Sequence, residues 1–395
     1  MPTLAVLFLG YACCYFHRAD LSALAPLWAR DQTAAAMARA LPDIASLGML
    51  VYGFGKMIGG MLADRFGGRA LFVAALCGAT IAEFAASRCE TPASFALCRV
   101  CGMAALSLAW PSVGKVASES TPAARLGTAM MILSQSYLLG DATVRALLAA
   151  VVANGGGPAD VLRTACAGLA LGAVVTGFGL LCTRVPHVAP VVQSAPARVN
   201  PAALRSLLRP MVWMALMNVS LVFVRESLSL WTPFLLVDLC AMPAASAMRA
   251  SALLPLASAC GALLSGPFGD RGARGLLWAT FAPPLLGACL LLALAIAGRD
   301  AGSSFVIATL AATSACLAMP LTLGSGVLPL RAGAGRSATM LGFVDGTGSL
   351  GAVLAGGGLA RVLGAAGTGG VFVALAATAA LAALFAAATA RTKRA

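Results

Sequence analysis

The sequence predicts an all-α integral membrane protein of twelve transmembrane helices, arranged as two pseudo-symmetric six-helix bundles. Three observations predict it. The 395-residue chain is 60% hydrophobic and only 10% charged, with a mean hydropathy of +0.91, a composition foreign to soluble domains of this size. Apolar segments of about 20 residues recur along its length, whereas the alternating strands of an outer-membrane barrel are missing. Finally, landmarks of the first half return in the same order in the second.

The first six spans are expected at 2–28, 43–64, 70–88, 93–117, 126–152 and 161–183. A hydrophilic cytoplasmic linker, 184–209, rich in Pro, Ala and Arg, divides the domains 1–183 and 210–395. The last six are expected at 210–237, 248–268, 274–298, 303–330, 337–362 and 368–390.

With the N-terminus placed inside, the inner loops and tail collect basic residues such as Arg65, Arg69, Arg125, Arg271, Arg336 and Arg391. The outer loops mix Arg30, Arg88 and Arg163 with Asp31, Glu90 and Asp160. This positive-inside asymmetry puts both termini in the cytoplasm of a multi-pass protein, in a plasma, inner or organelle membrane. The net charge of +13 is therefore topological, and no nucleic-acid partner is implied. The twelve cysteines are scattered through apolar spans as small hydrophobes. His17 and His187 look isolated, so neither a metal nor a cofactor is expected.

Arg18 lies inside the first span, where a charge costs roughly 2.5 kcal/mol or more unless it faces a bundle interior, a partner or water. On one helix Tyr11, Tyr15, Arg18 and Ser22 fall at i, i+4, i+7 and i+11, close to a single face. Asp20 points the opposite way, with no partner evident. Arg18-Ala-Asp-Leu-Ser-Ala-Leu-Ala-Pro26 is echoed by Arg225-Glu-Ser-Leu-Ser-Leu-Trp-Thr-Pro233, a shift of 207 residues. Gly60-x-x-x-Asp64-Arg65 is echoed by Gly266-x-x-x-Asp270-Arg271, shifted by 206. Arg125-x-x-Thr128 with Leu139-Gly140 is echoed by Arg336-x-x-Thr339 with Leu350-Gly351, shifted by 211. Duplicated halves of this kind point to a transporter with its site at the repeat interface.

Gly60-Met-Leu-Ala-Asp64-Arg65-Phe-Gly67-Gly-Arg69 resembles the signature loop between helices 2 and 3 of the major facilitator superfamily. Within that superfamily four segments resemble the organophosphate:phosphate antiporters, the glycerol phosphate and hexose phosphate transporters. They are Gly10-Tyr11-Ala with Arg18 and Pro26, Tyr52-Gly-Phe-Gly-Lys56, Trp110-Pro111-Ser-Val-Gly114-Lys115, and Arg225 ahead of Trp231-Thr-Pro233. The resemblance spans nearly the whole chain and implies the major facilitator fold. It also implies a monomeric carrier of a small phosphorylated anion, exchanged for inorganic phosphate by rocking about a central site.

In the resembled family the residues matching Arg18 and Arg225 hold the substrate phosphate from both sides. The chemistry fits, because guanidinium groups stay charged and offer paired donors to phosphate oxygens. At an effective dielectric of 20, two cations about 10 Å apart repel by about 1.7 kcal/mol, while each attracts a unit anion at about 4 Å by about 4 kcal/mol. The competing reading is that each arginine pairs with an acid, Glu226 being adjacent to Arg225. Lys56 either assists the anion, as the resemblance implies, or snorkels to the interface. Asn218 and Ser229, with Thr232, stand on one stripe with Arg225 and are candidate lining residues.

Ser134, Tyr137, Asp141 and Arg145 share a stripe, in which Asp141 and Arg145 are spaced to pair. Tyr137 stands where the bacterial glycerol and hexose phosphate transporters have a histidine; it can donate a hydrogen bond to phosphate but does not titrate near neutral pH. Asp345 is open to pairing with Lys56 or Arg145, or to carrying a proton, as is Glu226. By the superfamily pattern Asp64, Arg65, Arg69, Asp270 and Arg271 form charge pairs between the halves that break as the inner side opens. Glu83, Arg99 and Lys115 read as packing or interfacial groups. Two further classes stay open: a facilitator of another anion such as a carboxylate or nitrate, or of a drug, with proton coupling through Asp345 or Glu226 as an option, and a transporter-like sugar phosphate sensor, disfavoured by termini that leave no signalling domain. No nucleophile or metal constellation suggests an enzyme.

Overall fold

The structure, a computed structural model, describes residues 2–30, 35–183, 201–242, 250–251, 253–270, 273–298, 302–332 and 336–391. A chain in hydrocarbon must close its backbone hydrogen bonds within each segment, and the described residues do so with helices alone, without a strand.

The first half contains α1 (Pro2–Cys13), α2 (Tyr15–Arg30), α3 (Ala35–Phe66), α4 (Gly68–Ala86), α5 (Pro92–Ser107), α6 (Ala109–Ser120), α7 (Leu126–Ala153) and α8 (Pro158–Cys182). The second contains α9 (Pro201–Cys240), α10 (Leu253–Leu263), α11 (Ser265–Asp270), α12 (Ala273–Ala297), α13 (Ser303–Thr322), α14 (Leu328–Ala332), α15 (Ser337–Val353) and α16 (Leu359–Arg391). Several pairs are single rods with a local break. At Cys14, Leu108 and Leu264 the amide reaches back three residues, to Tyr11, Ala105 and Gly261, which tightens the turn and separates α1 from α2, α5 from α6 and α10 from α11. π turns at Leu323–Val327 and Leu354–Gly358 interrupt two later rods. Gly367 adopts φ 63°, open to glycine at little cost, and divides α16. The described helices thus form twelve rods at the expected places, eight of them long and apolar enough to cross a membrane.

Two details differ from expectation. The first span is broken at Cys14, so its polar stripe is divided between α1 and α2. The linker expected over 184–209 gives way to helix from Pro201, and residues 184–200 lie outside the described residues.

The chain forms two compact units. One comprises Met1–Pro122, Ile132–Pro190 and Arg336–Gly342; the other comprises Ala123–Met131, Val191–Gly335 and Phe343–Ala395. In the first, Leu7, Phe72, Leu76, Phe95 and Leu169 are fully buried. Gly60 on α3 and Gly342 on α15 bring two backbones together: a Cβ on Gly60 would overlap the Ala338 carbonyl, and one on Gly342 the Lys56 carbonyl. In the second unit Leu221, Val224, Leu310, Leu317 and Leu375 are buried. There Gly127 and Gly269 make the equivalent approach, a Cβ on Gly127 falling 2.6 Å from the Gly269 carbonyl carbon.

Candidate functional site

In the first unit Arg18 is the centre of an aromatic and cationic cluster. Its Nη1 donates to the Tyr15 hydroxyl at 3.0 Å, the i, i+3 spacing of α2 placing them on one face. The guanidinium carbon lies 4.9 Å from the Tyr15 ring centre and 5.0 Å from that of Tyr52 on α3. Lys56, one turn after Tyr52, holds its Nζ 4.2 Å from the same Tyr52 ring and is buried. Tyr11 meets Tyr15 edge-on at 6.4 Å and Trp110 at 4.9 Å. Rings that present their negative faces to two cations help to fix them in place. Thus Tyr11, Tyr15, Arg18 and Lys56 do converge; the Ser22 side chain lies outside the described residues. Tyr52 and Trp110 are members that the stripe argument missed, although both stand in the motifs that carry the resemblance.

In the second unit Arg225 is half-buried and donates through Nε to Glu226 Oε1 at 3.1 Å, with Nη2 on the same oxygen. Asn218 is fully buried and its Nδ2 donates to the Val344 carbonyl at 2.7 Å, tying α9 to α15. Its donor is therefore engaged by backbone. Ser229 is exposed. Tyr137, Asp141 and Asp345 are half-buried, whereas the Arg145 side chain is outside the described residues.

The aspartate of each of the two Gly-x-x-x-Asp repeats acquires partners within its own unit. Asp64 accepts from Ala338 N at 3.3 Å and from both Thr339 N and Thr339 Oγ1 at 2.8 Å, and pairs with Lys115 at 3.1 Å. Asp270 accepts from Gly127 N at 2.8 Å, from Thr128 N and from the Thr128 hydroxyl. Each carboxylate thereby receives orphan amides at the start of a helix, α15 or α7, where the dipole favours negative charge. Arginine partners were expected. Instead Arg65 packs 5.3 Å from the Phe66 ring and Arg69 donates to the Leu180 and Thr183 carbonyls, while Arg271 lies outside the described residues.

The expectation that His17 is isolated is overturned. His17, Asp20, Glu83 and Arg99 form one cluster, each 2% exposed or less. Arg99 Nη1 reaches Asp20 Oδ2 at 2.7 Å, Glu83 Oε2 at 3.2 Å and His17 Nδ1 at 3.1 Å; Arg99 Nη2 donates to the His17 carbonyl, and His17 Nδ1 also meets Glu83 Oε2. Gly102 makes the room, since a Cβ there would overlap the imidazole. The signal was Asp20 itself: an intramembrane acid on the wrong face for Arg18 requires a partner, and Arg99 was an available cation in another span.

Apolar rods that enclose cations and carboxylates fit a multi-helix membrane transporter. A family model described as the Major Facilitator Superfamily matches residues 7–297, and the chain belongs to that superfamily. Among solved structures it is similar to the human organic anion transporter MFSD10 (TETRAN), at TM-score 0.76 and 15% identity, covering 98% of this chain and 99% of that one. It is also similar to the proton:xylose symporter XylE, at TM-score 0.77 and 15% identity over 97% and 94% of the two chains. A third similar structure is the transporter FucP in the outward conformation, at TM-score 0.75 and 15% identity over 97% of each. No curated protein matches the sequence.

Proposed function

We propose that this facilitator exchanges a small organic phosphate, such as glycerol phosphate or a sugar phosphate, for inorganic phosphate by alternating access. The observation that carries the reading is the pair of cations, Arg18 and Lys56, set on the two neighbouring rings Tyr15 and Tyr52 inside an apolar unit. Fixed donors of this kind suit a tetrahedral anion, and Arg225, the repeat partner of Arg18, supplies the second guanidinium. Cations gathered around one site repel one another, and a bound anion offsets that repulsion. Exchange, in which every transition carries an anion, is the favoured mode.

A second reading, a carrier of another organic or inorganic anion, is supported by the Arg225–Glu226 pair. With that guanidinium already paired, the anion is held chiefly by Arg18 and Lys56, a weaker requirement for phosphate. Uptake into proteoliposomes preloaded with phosphate separates the two: the first reading expects exchange of glycerol phosphate or hexose phosphates, the second of dicarboxylates alone. Under the first, Arg18→Ala and Arg225→Ala both abolish exchange; wild-type rates in both variants would remove the two-arginine site.

A further inference from the structure

We propose that Cys89 and Cys98 form a dithiol–disulfide site, the two thiols joining when a small-molecule disulfide reaches the turn between α4 and α5. Their Sγ atoms lie 3.6 Å apart, in contact but unbonded, and both side chains are half-buried. Cysteines spread through apolar spans read singly as small hydrophobes. This pair, nine residues apart in sequence, is brought together by the fold.

The backbone explains the meeting. α4 ends at Ala86, and the Arg88 and Cys89 amides reach back to the Ala85 and Ala86 carbonyls at 3.0 and 3.1 Å, which turns the chain. Thr91 caps α5, its hydroxyl oxygen accepting from Ser94 N at 3.2 Å, and Pro92 opens the first helical turn. Cys98 therefore stands on a helix fixed at its start, while Cys89 lies outside both helices, between exposed Arg88 and Glu90. Both cysteines pack against the apolar cluster that holds Ala86, Phe95 and Trp28, where the Phe95 and Trp28 rings meet edge-on at 5.1 Å. A disulfide needs its sulfurs about 2.05 Å apart. Movement of the Cys89 side chain in the turn closes the gap, at the loss of one weak contact, Sγ to the Ala85 carbonyl at 3.3 Å.

The oxidant is a low-molecular-weight disulfide such as oxidised glutathione. The Cys89 thiolate attacks one donor sulfur, the donor S–S bond breaks and one donor thiolate leaves. The Cys98 thiolate then attacks Cys89 Sγ in the mixed disulfide, the Cys89–Cys98 bond forms and the second donor thiolate leaves. Two electrons pass from the protein to the donor, and the two protons released by the cysteines end on the two donor thiols. Arg88 and Glu90 flank Cys89 with opposite charges, so the nearness of the second thiol, not strong activation of the first, drives the exchange. The positive-inside pattern puts residues 87–91 on the face opposite the termini, the side on which disulfides persist. Among the described residues the group of three metal-ligating side chains is His17, Asp20 and Glu83, so the sulfur pair stands without a third ligand for an ion. Once formed, the bond ties the end of α4 to α5 at the residue before Arg99.

The test uses the purified full chain and needs no transported anion, so it stands apart from the exchange reading. The protein is equilibrated across ratios of oxidised to reduced glutathione, quenched in acid, alkylated with a maleimide under denaturing conditions and digested. Two of the twelve thiols should be lost in one two-electron transition, with the Cys89 and Cys98 peptides joined in the mass spectrum. Cys101→Ser, three residues further along α5, should keep the linked peptide, whereas Cys89→Ser and Cys98→Ser should each abolish the paired loss of thiols. Glutathione adducts on Cys89 or Cys98 without the linked peptide, a link that joins other cysteines instead, or an unchanged thiol count at the most oxidising ratio overturns the site. If a variant does not fold, the wild-type linkage map decides.

Discussion

One oxygen of Asp64 takes both the backbone N–H and the hydroxyl of Thr339, each at 2.8 Å, across 275 residues of chain. Asp270 takes the same two groups of Thr128. The second and third repeated landmarks of the sequence are therefore each other's partners, taken crosswise: the aspartate of one half caps the helix opened by the threonine of the other.

Removing that cap should be measurable. Asp64→Ala is expected to cost about 1–2 kcal/mol, the usual worth of a helix cap with a charge at the dipole, read as a lower midpoint in thermal unfolding of the purified protein. Thr339→Val should be non-additive with it, with a coupling of about 0.5–3 kcal/mol in a double-mutant cycle. Additive effects would show that the two residues act independently.

Gly342→Ala should be far more damaging than its single methyl suggests, because the new Cβ would overlap the Lys56 carbonyl. Overpacking of this kind costs about 1–3 kcal/mol. Gly364→Ala, at a position where nothing lies within 4 Å, should be neutral or slightly stabilising. Parallel melting curves compare them.

Arg99→Leu should destabilise by about 3–5 kcal/mol, since it leaves Asp20 and Glu83 buried beside each other without a cation. Recovery of stability in the triple change with Asp20→Asn and Glu83→Gln, measured as yield of monodisperse protein, is the expected signature of charge imbalance over lost packing.

Tyr52→Phe keeps the ring face that Arg18 and Lys56 share and should transport near the wild-type rate. Tyr52→Ala removes the ring and should lower uptake about tenfold, within the range of desolvated cation–π contacts. Equal loss in both variants would assign the role to the hydroxyl instead.

The rods were legible because lipid demands long apolar helices, and the repeat was legible because Arg18, Asp64 and Thr128 each return in order. Partners were less so. Helical periodicity reports which face a residue occupies on its own helix, so Tyr15 and Arg18 could be matched, but Tyr52, Trp110 and Arg99 approach from other rods. Asp64 was read as seeking an arginine because sequence displays side-chain charge and hides the unpaired amides at a helix start. The break at Cys14 was hidden too: a three-residue backbone bond leaves no compositional mark.

That break sets the angular phase of everything after it. His17 and Arg18 are consecutive, yet one is sealed with Glu83 and Arg99 and the other lies against Tyr52. Each residue of α2 advances about 100° around its axis, so a one-residue insertion between Cys14 and His17 would turn Asp20 off Arg99 and Arg18 off Tyr52 in a single stroke. In the short shaft from Tyr15 to Asp20 a substitution disturbs one cluster, whereas a change of length disturbs both.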